Sequence, residues 1–317
     1  MGLGPRTNFP DLLTASRPRY TLLDVPGVLN TTADRWLTGV GTLADKSHVR
    51  LDIDDLSSKD VPYWWDLTPG VSGSDAVSVL TTKQIAAKPD PVNYDPVTIW
   101  VGEPWSAMDR PNQHQAEVEG RLSRLLNAIL PAAVERELWT GQVARRAGFS
   151  NPYLQQTGVT KVGSGALLGF VTALAELEQG LVDNGVAYGR RIIHAQPRVV
   201  TAWASRGLVS PTSDGKALVT ALGTYVVPGN GYTGGAPQDE SSAASRVASW
   251  AYATGPVRVF VGTPTTVEWA SPAQYVSSRT ANDIELRVET EVLVATASAP
   301  RIACFVGLGD EYSGAGS

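Results

Sequence analysis

The longest regular pattern in this sequence is an amphipathic helical stretch that begins near Asn112, and it limits the folds open to the chain. Asn112 is a predicted N-cap, with Gln115 three residues further on. Apolar residues then recur at spacings of three and four in one stripe: Val118, Leu122, Leu125, Ile129 and Ala133. Polar residues fill the other sides: Glu117, Arg121, Arg124 and Glu135. The pattern predicts a long spine helix with a bend at Pro131.

The chain before this helix has few helical signals. Four prolines interrupt residues 1–45: Pro5, Pro10, Pro18 and Pro26. They predict an extended arm with short elements, which a compact monomer would bury with difficulty. Residues 46–95 alternate charged and β-prone positions, which predicts a long two-stranded hairpin with one polar face. Such a hairpin is unstable alone, so we expect it to pack on another surface.

Helix and strand signals are mixed in the rest of the chain, which predicts an α+β fold. A second helix is predicted over 166–183, and a short one begins at Pro197 and ends before Gly207. The predicted strands are VTIWVGEPW (97–105), RRIIHA (190–195), ALVTALGTYVV (217–227), VRVFVG (257–262) and RIACFVGL (301–308).

The clearest strand signal runs from Ile284 to Val294. Apolar side chains alternate along it with charged ones such as Arg287 and Glu289. The apolar run RIACFVGL follows after a turn, and we predict that it pairs with this strand.

The glycine-rich stretch GTYVVPGNGYTGG (223–235) raises the question of a phosphate loop. A nucleotide loop places its glycines between a strand and the start of a helix, and a P-loop adds a lysine. The residues that follow, APQDESSAASR, are small and polar and carry no apolar helical pattern. The stretch therefore predicts a connection rather than a nucleotide site.

Composition excludes several classes of function. The formal net charge is −5, which argues against broad binding of nucleic acid or anionic membrane. The single cysteine, Cys304, lies in an apolar run and predicts a small buried side chain. No apolar stretch approaches the length of a membrane span, and MGLGPRTNFP (1–10) lacks the basic-then-apolar pattern of a signal peptide. We expect a soluble product in the cell that makes it.

Catalytic signals are weak. The histidines His48, His114 and His194 form no metal-ligand spacing, and no nucleophile motif is present. His194, in IIHA, fits a core histidine better than a general base. We expect no enzyme activity and no cofactor, and an α/β enzyme that uses His194 remains an alternative.

The extended segments and nine tryptophans predict contacts between subunits. The candidate contact residues are Tyr63, Trp64, Trp65, Trp105 and Tyr232. Trp100 and Trp139 are equally compatible with an interface and with the core.

Four segments, taken in order, resemble major capsid proteins of tailed phages that infect actinobacteria. They are VERELWTGQVARRAGFSNPYL (134–154), RRIIHAQPRVVTAWASRGLV (190–209), LVTALGTYVVPGNGYTG (218–234) and SWAYATGPVRVFVG (249–262). The resemblance implies the Hong Kong ninety-seven capsid fold, which encapsulins share. It implies an N-terminal arm (1–45), an extended loop (46–95), a peripheral domain with the spine helix (96–160), an axial domain (161–262), and return strands with a C-terminal tail (263–317).

The function implied by this resemblance is a structural subunit that assembles into hexamers and pentamers of an icosahedral phage head enclosing double-stranded DNA. The expected partners are other copies of the chain, a portal, a separate scaffolding protein, a possible decoration protein and DNA bound without sequence specificity. The expected location is the virion, after assembly in the host cytoplasm. The alternatives are an encapsulin-like compartment shell and a tail or minor virion component.

Overall fold

The structure, a computed structural model, describes residues 18–31, 94–105, 115–184, 190–269, 284–296 and 301–309. The helices within them are α1 (Gln115–Thr140), α2 (Gln142–Arg146), α3 (Phe170–Asp183) and α4 (Pro197–Ser205), with 3-10 turns at Leu22–Asp24 and Val162–Gly165. The predicted spine helix is confirmed as α1, which has 26 residues. Its predicted N-cap, Asn112, and the extended-loop residues 46–93 lie outside the described residues.

The strands, in chain order, are β1 (Leu29–Thr31), β2 (Val97–Trp105), β3 (Thr160–Lys161), β4 (Leu167–Gly169), β5 (Ile192–Ala195), β6 (Val209–Pro211), β7 (Leu218–Thr220), β8 (Tyr225–Pro228), β9 (Ala248–Thr254), β10 (Val257–Val261), β11 (Thr265–Trp269), β12 (Ile284–Thr296) and β13 (Ile302–Gly307). They form two sheets, and the predicted α+β class is confirmed. None of the helices in the described ranges has both the length and the apolar character that crossing a bilayer requires.

The first sheet is built on β12. Strand β2 runs antiparallel along one side of it, β10 and β11 pair with it antiparallel, and β1 lies parallel to β10. Leu286 and Val288 are buried while Arg287 and Glu289 are half-buried on the opposite face, so the predicted alternation is confirmed. Helix α1 packs against β12 and β2.

The second sheet has the order β3-β13-β9-β5-β8-β7-β6, with β4 also on β13. Helix α3 packs against β13 and β9, and α4 packs beside it. The single predicted strand over 217–227 is two antiparallel strands, β7 and β8, which turn at Gly223 with a φ of 80°. The predicted second helix starts later, at Phe170, because the residues before it form β4.

The prediction that RIACFVGL pairs with β12 is wrong. This run forms β13, which pairs antiparallel with β9 in the other sheet. All residues of β13 except Phe305 are buried, as expected of an interior strand covered on both faces. An uninterrupted apolar run fits any interior strand, so its hydrophobicity did not identify the partner.

Part of the predicted N-terminal arm belongs to the subunit core. Four of its apolar side chains are buried: Leu22, Leu23, Val25 and Val28. The carbonyl of Val28 accepts a hydrogen bond from the N–H of Val259 at 2.8 Å, next to the pairing of β1 with β10. The expectation that this region is hard to bury within one subunit is therefore wrong for residues 21–28.

Candidate functional site

The glycine-rich turn after β8 packs directly on the spine helix. A β-carbon at Gly231 would collide with the carbonyl oxygen of Ala132 and the backbone nitrogen of Arg136 in α1. The N–H of Gly231 donates a hydrogen bond to Oε2 of Glu135, at 3.1 Å. Because this donor faces a carboxylate, it is not presented to a phosphate. Close approach to the helix explains the glycine at this position.

Glu135 is a buried carboxylate that the sequence pattern assigned to the polar side of α1. Its side chain is fully buried, and Oε1 accepts a hydrogen bond from the N–H of Leu22 at 3.0 Å. Burial raises the pKa of Glu135 to about 7, an effect opposed by the backbone hydrogen bonds and reinforced by the charge of Asp24. Nothing in the local sequence marks this position, because its partners are distant in the chain.

Aromatic rings fill the space one helical turn beyond Glu135. Trp139 stacks on Tyr232 with ring centroids 4.8 Å apart, and it meets the ring of Tyr252 edge-on at 4.7 Å. All three residues are buried, and the Tyr252 hydroxyl donates to the carbonyl of Gly235 at 3.0 Å. Trp139 is therefore a core residue.

His194 extends this cluster through a chain of hydrogen bonds. Its Nδ1 lies 2.8 Å from the Tyr232 hydroxyl, and its Nε2 lies 2.9 Å from Oγ1 of Thr254. Oγ1 of Thr254 donates its proton to the carbonyl of Gly255 at 2.9 Å, so it accepts from Nε2–H. The Tyr232 hydroxyl then donates to Nδ1. This assignment makes the imidazole neutral.

The environment of His194 does not suit a general base. Complete burial lowers the pKa of His194 to about 3, and both ring nitrogens are engaged inside the subunit. A general base needs a nitrogen within reach of a substrate proton. The geometry therefore favours the core-histidine interpretation over the alternative of an α/β enzyme.

Other reactive groups are similarly enclosed. Cys304 is buried, and burial raises the pKa of its thiol to about 12. Within the described residues, no three His, Cys, Asp or Glu side chains come together in a way that could hold a metal ion.

The predicted inter-subunit contacts have different outcomes. Tyr63, Trp64 and Trp65 lie outside the described residues, and Trp105 is described only as the last residue of β2. Tyr232 was predicted to face a neighbour, but only 3% of its surface is exposed. Its ring stacks on Trp139 and its hydroxyl forms a hydrogen bond with His194, so within the subunit Tyr232 is a core residue.

Several large apolar side chains are exposed on the described surface. Trp100, on the outer face of the first sheet, is 46% exposed, and the guanidinium carbon of Arg287 lies 3.9 Å from the ring centroid. Leu222 in the turn between β7 and β8 is 66% exposed, and Val247 before β9 is 57% exposed. The sequence left the position of Trp100 open and gave no signal for Leu222 or Val247.

The four capsid-like motifs meet at this buried cluster. Glu135 and Trp139 come from the first, His194 from the second, Gly231 and Tyr232 from the third, and Tyr252 and Thr254 from the fourth. Segments spread over residues 134–262 thus form one packing unit.

No protein-family model matches the chain, and no curated protein matches it. Similar solved structures include several from phages and one from an encapsulin. The holo-SrpI encapsulin complex from Synechococcus elongatus PCC 7942 is similar at 12% identity and a TM-score of 0.44, over 73% of this chain and 79% of that one. A structure from Gordonia phage Cozz has 12% identity and a TM-score of 0.43, over 72% and 77%. The capsid structure of cyanophage P-SCSP1u has 11% identity and a TM-score of 0.35, over 68% and 74%. These identities and scores are too low to assign a function to this chain.

Proposed function

We propose that this chain is a shell-forming structural protein, namely the major capsid protein of a tailed phage. The observation that carries the proposal is the convergence of the four capsid-like motifs on one buried cluster. A single short motif could resemble a capsid protein by chance. Four such motifs that also pack against one another in one core are harder to explain by chance. Their packing supports the Hong Kong ninety-seven capsid fold for this chain.

Assembly into hexamers and pentamers would be driven by interface free energy. Residues 1–45 and 46–95 would reach neighbouring subunits, apart from the portion at 21–28 that the subunit itself buries. The proposed contact residues are Tyr63, Trp64, Trp65 and Trp105, together with the exposed Trp100, Leu222 and Val247. Tryptophan and tyrosine are enriched among the few residues that contribute most of the free energy at interfaces, so the aromatic members of this set should matter most.

The proposed partners are other copies of the chain, a portal, a separate scaffolding protein and a possible decoration protein. The formal net charge of −5 suits a wall that confines DNA without binding it tightly. The proposed location is the virion, after assembly in the host cytoplasm.

Negative-stain electron microscopy of the purified chain, alone and with its neighbouring reading frames, tests the proposal. Closed shells or six-fold rings are the expected result. A monomer or dimer under both conditions contradicts it, and open tubes would indicate a tail component.

The contents of the shells separate the phage head from an encapsulin-like compartment. Shells that enclose double-stranded DNA when coexpressed with the packaging genes support the head. Shells that retain a host enzyme and no DNA support the compartment.

A further inference from the structure

The turn after β8 contains asparagine followed directly by glycine, at Asn230 and Gly231. This pair is especially prone to spontaneous deamidation, because glycine has no side chain that would hinder attack by its own backbone nitrogen. The side chain of Asn230 is exposed to solvent. Sequence and exposure alone would therefore mark Asn230 as a reactive position.

Deamidation is a reaction between the two residues of the pair. The backbone nitrogen of Gly231 loses its proton and attacks Cγ of Asn230, and the bond from Cγ to Nδ2 breaks, so that ammonia leaves and a succinimide ring forms. Water then opens the ring at either carbonyl, which gives aspartate or isoaspartate. Water is consumed, ammonia is released and nothing is oxidised or reduced. The reaction needs an available nitrogen at Gly231 and a peptide plane that can rotate.

The attacking nitrogen is engaged in the folded subunit. The N–H of Gly231 donates to Oε2 of Glu135 at 3.1 Å, and the Glu135 side chain is buried. Removal of this proton would place a negatively charged nitrogen against a carboxylate oxygen away from water, which is electrostatically unfavourable. The hydrogen bond therefore opposes the first step of the reaction.

The backbone around the pair is also held in place. Gly231 packs so closely on α1 that a β-carbon there would collide with the carbonyl oxygen of Ala132. The N–H of Gly229 donates to the carbonyl of Ala195 at 3.2 Å, and the N–H of Tyr232 donates to the carbonyl of Gly229 at 3.2 Å. Rotation of the reacting peptide plane would have to disrupt these contacts on both sides of the pair.

We propose that Asn230–Gly231 is a latent deamidation site, which the packing of the turn on α1 keeps unreactive in the folded subunit. Reaction then proceeds only from states in which the turn has left the helix. Its rate is the intrinsic rate of the pair multiplied by the fraction of time that the turn is open. The proposal concerns the subunit itself and does not depend on shell assembly.

The isoaspartate product should not fit back into the turn. Isoaspartate adds one atom to the backbone, and Gly231 has no free space against α1 to accommodate a longer turn. A chain that has reacted while open should therefore dock its turn poorly, so that loss of packing and chemical modification reinforce each other.

Peptide mapping by mass spectrometry, after incubation of the full-length chain at mildly alkaline pH, measures the reaction. Peptides that cover Asn230 are compared between native buffer and concentrated guanidinium chloride, and Asn184, the other asparagine followed by glycine, calibrates the intrinsic rate in the denaturant. Deamidation of Asn230 should be at least about tenfold slower in native buffer. Equal rates in the two conditions overturn the proposal, and so does an Asn230 that stays unmodified in denaturant while Asn184 reacts.

Two substitutions test the role of the Glu135 carboxylate. Glu135→Ala removes the acceptor for the Gly231 N–H and should bring the native rate at Asn230 closer to the rate in denaturant. Glu137→Ala is the matched control: Glu137 is also buried in α1, but it accepts from two backbone N–H groups in α2, at 2.7 and 2.9 Å. Circular dichroism verifies that each variant is folded.

The control should leave deamidation of Asn230 slow. Equal acceleration in both variants would mean that a general loss of stability governs the reaction, which contradicts the role given to Glu135. If Glu135→Ala does not fold, the comparison of the wild type in native buffer and in denaturant still decides whether the packed turn protects Asn230.

Discussion

Gly231 donates its backbone N–H to the buried Glu135 carboxylate across 96 residues of sequence, at 3.1 Å. The same glycine has no room for a side chain against α1. We expect Gly231→Ala to destabilise the subunit by about 2–4 kcal/mol, because the turn must move away from the helix and leave a buried acceptor unpaired. Denaturant unfolding with circular dichroism measures the loss.

Gly120→Ala is the matched control for this prediction. Gly120 lies within α1, and apart from the backbone of the helix itself, a β-carbon there would meet nothing within 4 Å in the part of the chain that the structure describes. Alanine has the higher helix propensity, so this change should stabilise the chain by up to about 1 kcal/mol. Equal effects of the two substitutions would contradict the role given to Gly231.

The sequence predicted elements with a regular apolar pattern, but it did not predict contacts between residues that are distant in the chain. Periodicity predicted α1 and the first part of β12 correctly, because each has one buried face and a more polar one; from Val292 to Thr296 every residue of β12 is buried. It placed Glu135 on the polar side, because the two amides that explain its burial lie 113 and 96 residues away. The partner of β13 was missed for a related reason, since an apolar run satisfies any interior position of either sheet.

Two buried groups should give opposite pH dependences of stability. Glu135 has a raised pKa of about 7, so its contribution to the free energy of unfolding falls as the pH rises from about 4.5 to 7. His194 has a lowered pKa of about 3, so its contribution is present above about 6.5 and is lost as the pH falls toward 3. In the wild type the two slopes oppose each other between about pH 4.5 and 6.5.

Single variants should expose each slope. Relative to the wild type, Glu135→Gln should become more stable as the pH rises through this window, and His194→Gln should become less stable. Each difference should change by up to about 1.4 kcal/mol per pH unit. Urea unfolding at half-unit pH intervals measures it, and parallel curves for all three proteins would contradict both assignments.

The hydroxyl of Tyr232 should contribute to the stability of the subunit through its hydrogen bond to His194. Tyr232→Phe keeps the stacking on Trp139 and removes the donor to Nδ1 of His194. A buried ring nitrogen without a partner costs about 1–3 kcal/mol, which thermal and denaturant unfolding would detect. Tyr225→Phe on the half-buried β8 position serves as control, and equal losses in both would argue against the hydrogen-bonded chain.

Two N-terminal truncations separate folding from assembly. Removal of residues 1–30 deletes the buried Leu22, Leu23, Val25 and Val28, whose burial is worth on the order of 6–12 kcal/mol. This is comparable to the stability of a whole domain, so we expect that variant not to fold.

Removal of residues 1–17 leaves these side chains in place. We expect this shorter truncation to fold with an unchanged circular dichroism spectrum and to form no closed shells. Normal shells from it would contradict the proposed role of the arm, whereas a failure to fold would place essential core contacts within residues 1–17.

Trp100 tests whether the outer face of the first sheet contacts another copy of the chain. Its ring is 46% exposed and packs against Arg287, an exposed cation–π contact worth about 0.5–1 kcal/mol. Trp100→Ala should therefore cost the subunit little stability but reduce the yield of shells in sedimentation analysis. Thr98→Ala, at an exposed position of the same strand and face, should leave the yield unchanged. Full assembly of Trp100→Ala would exclude this face from the subunit interface and direct attention to Leu222 and Val247.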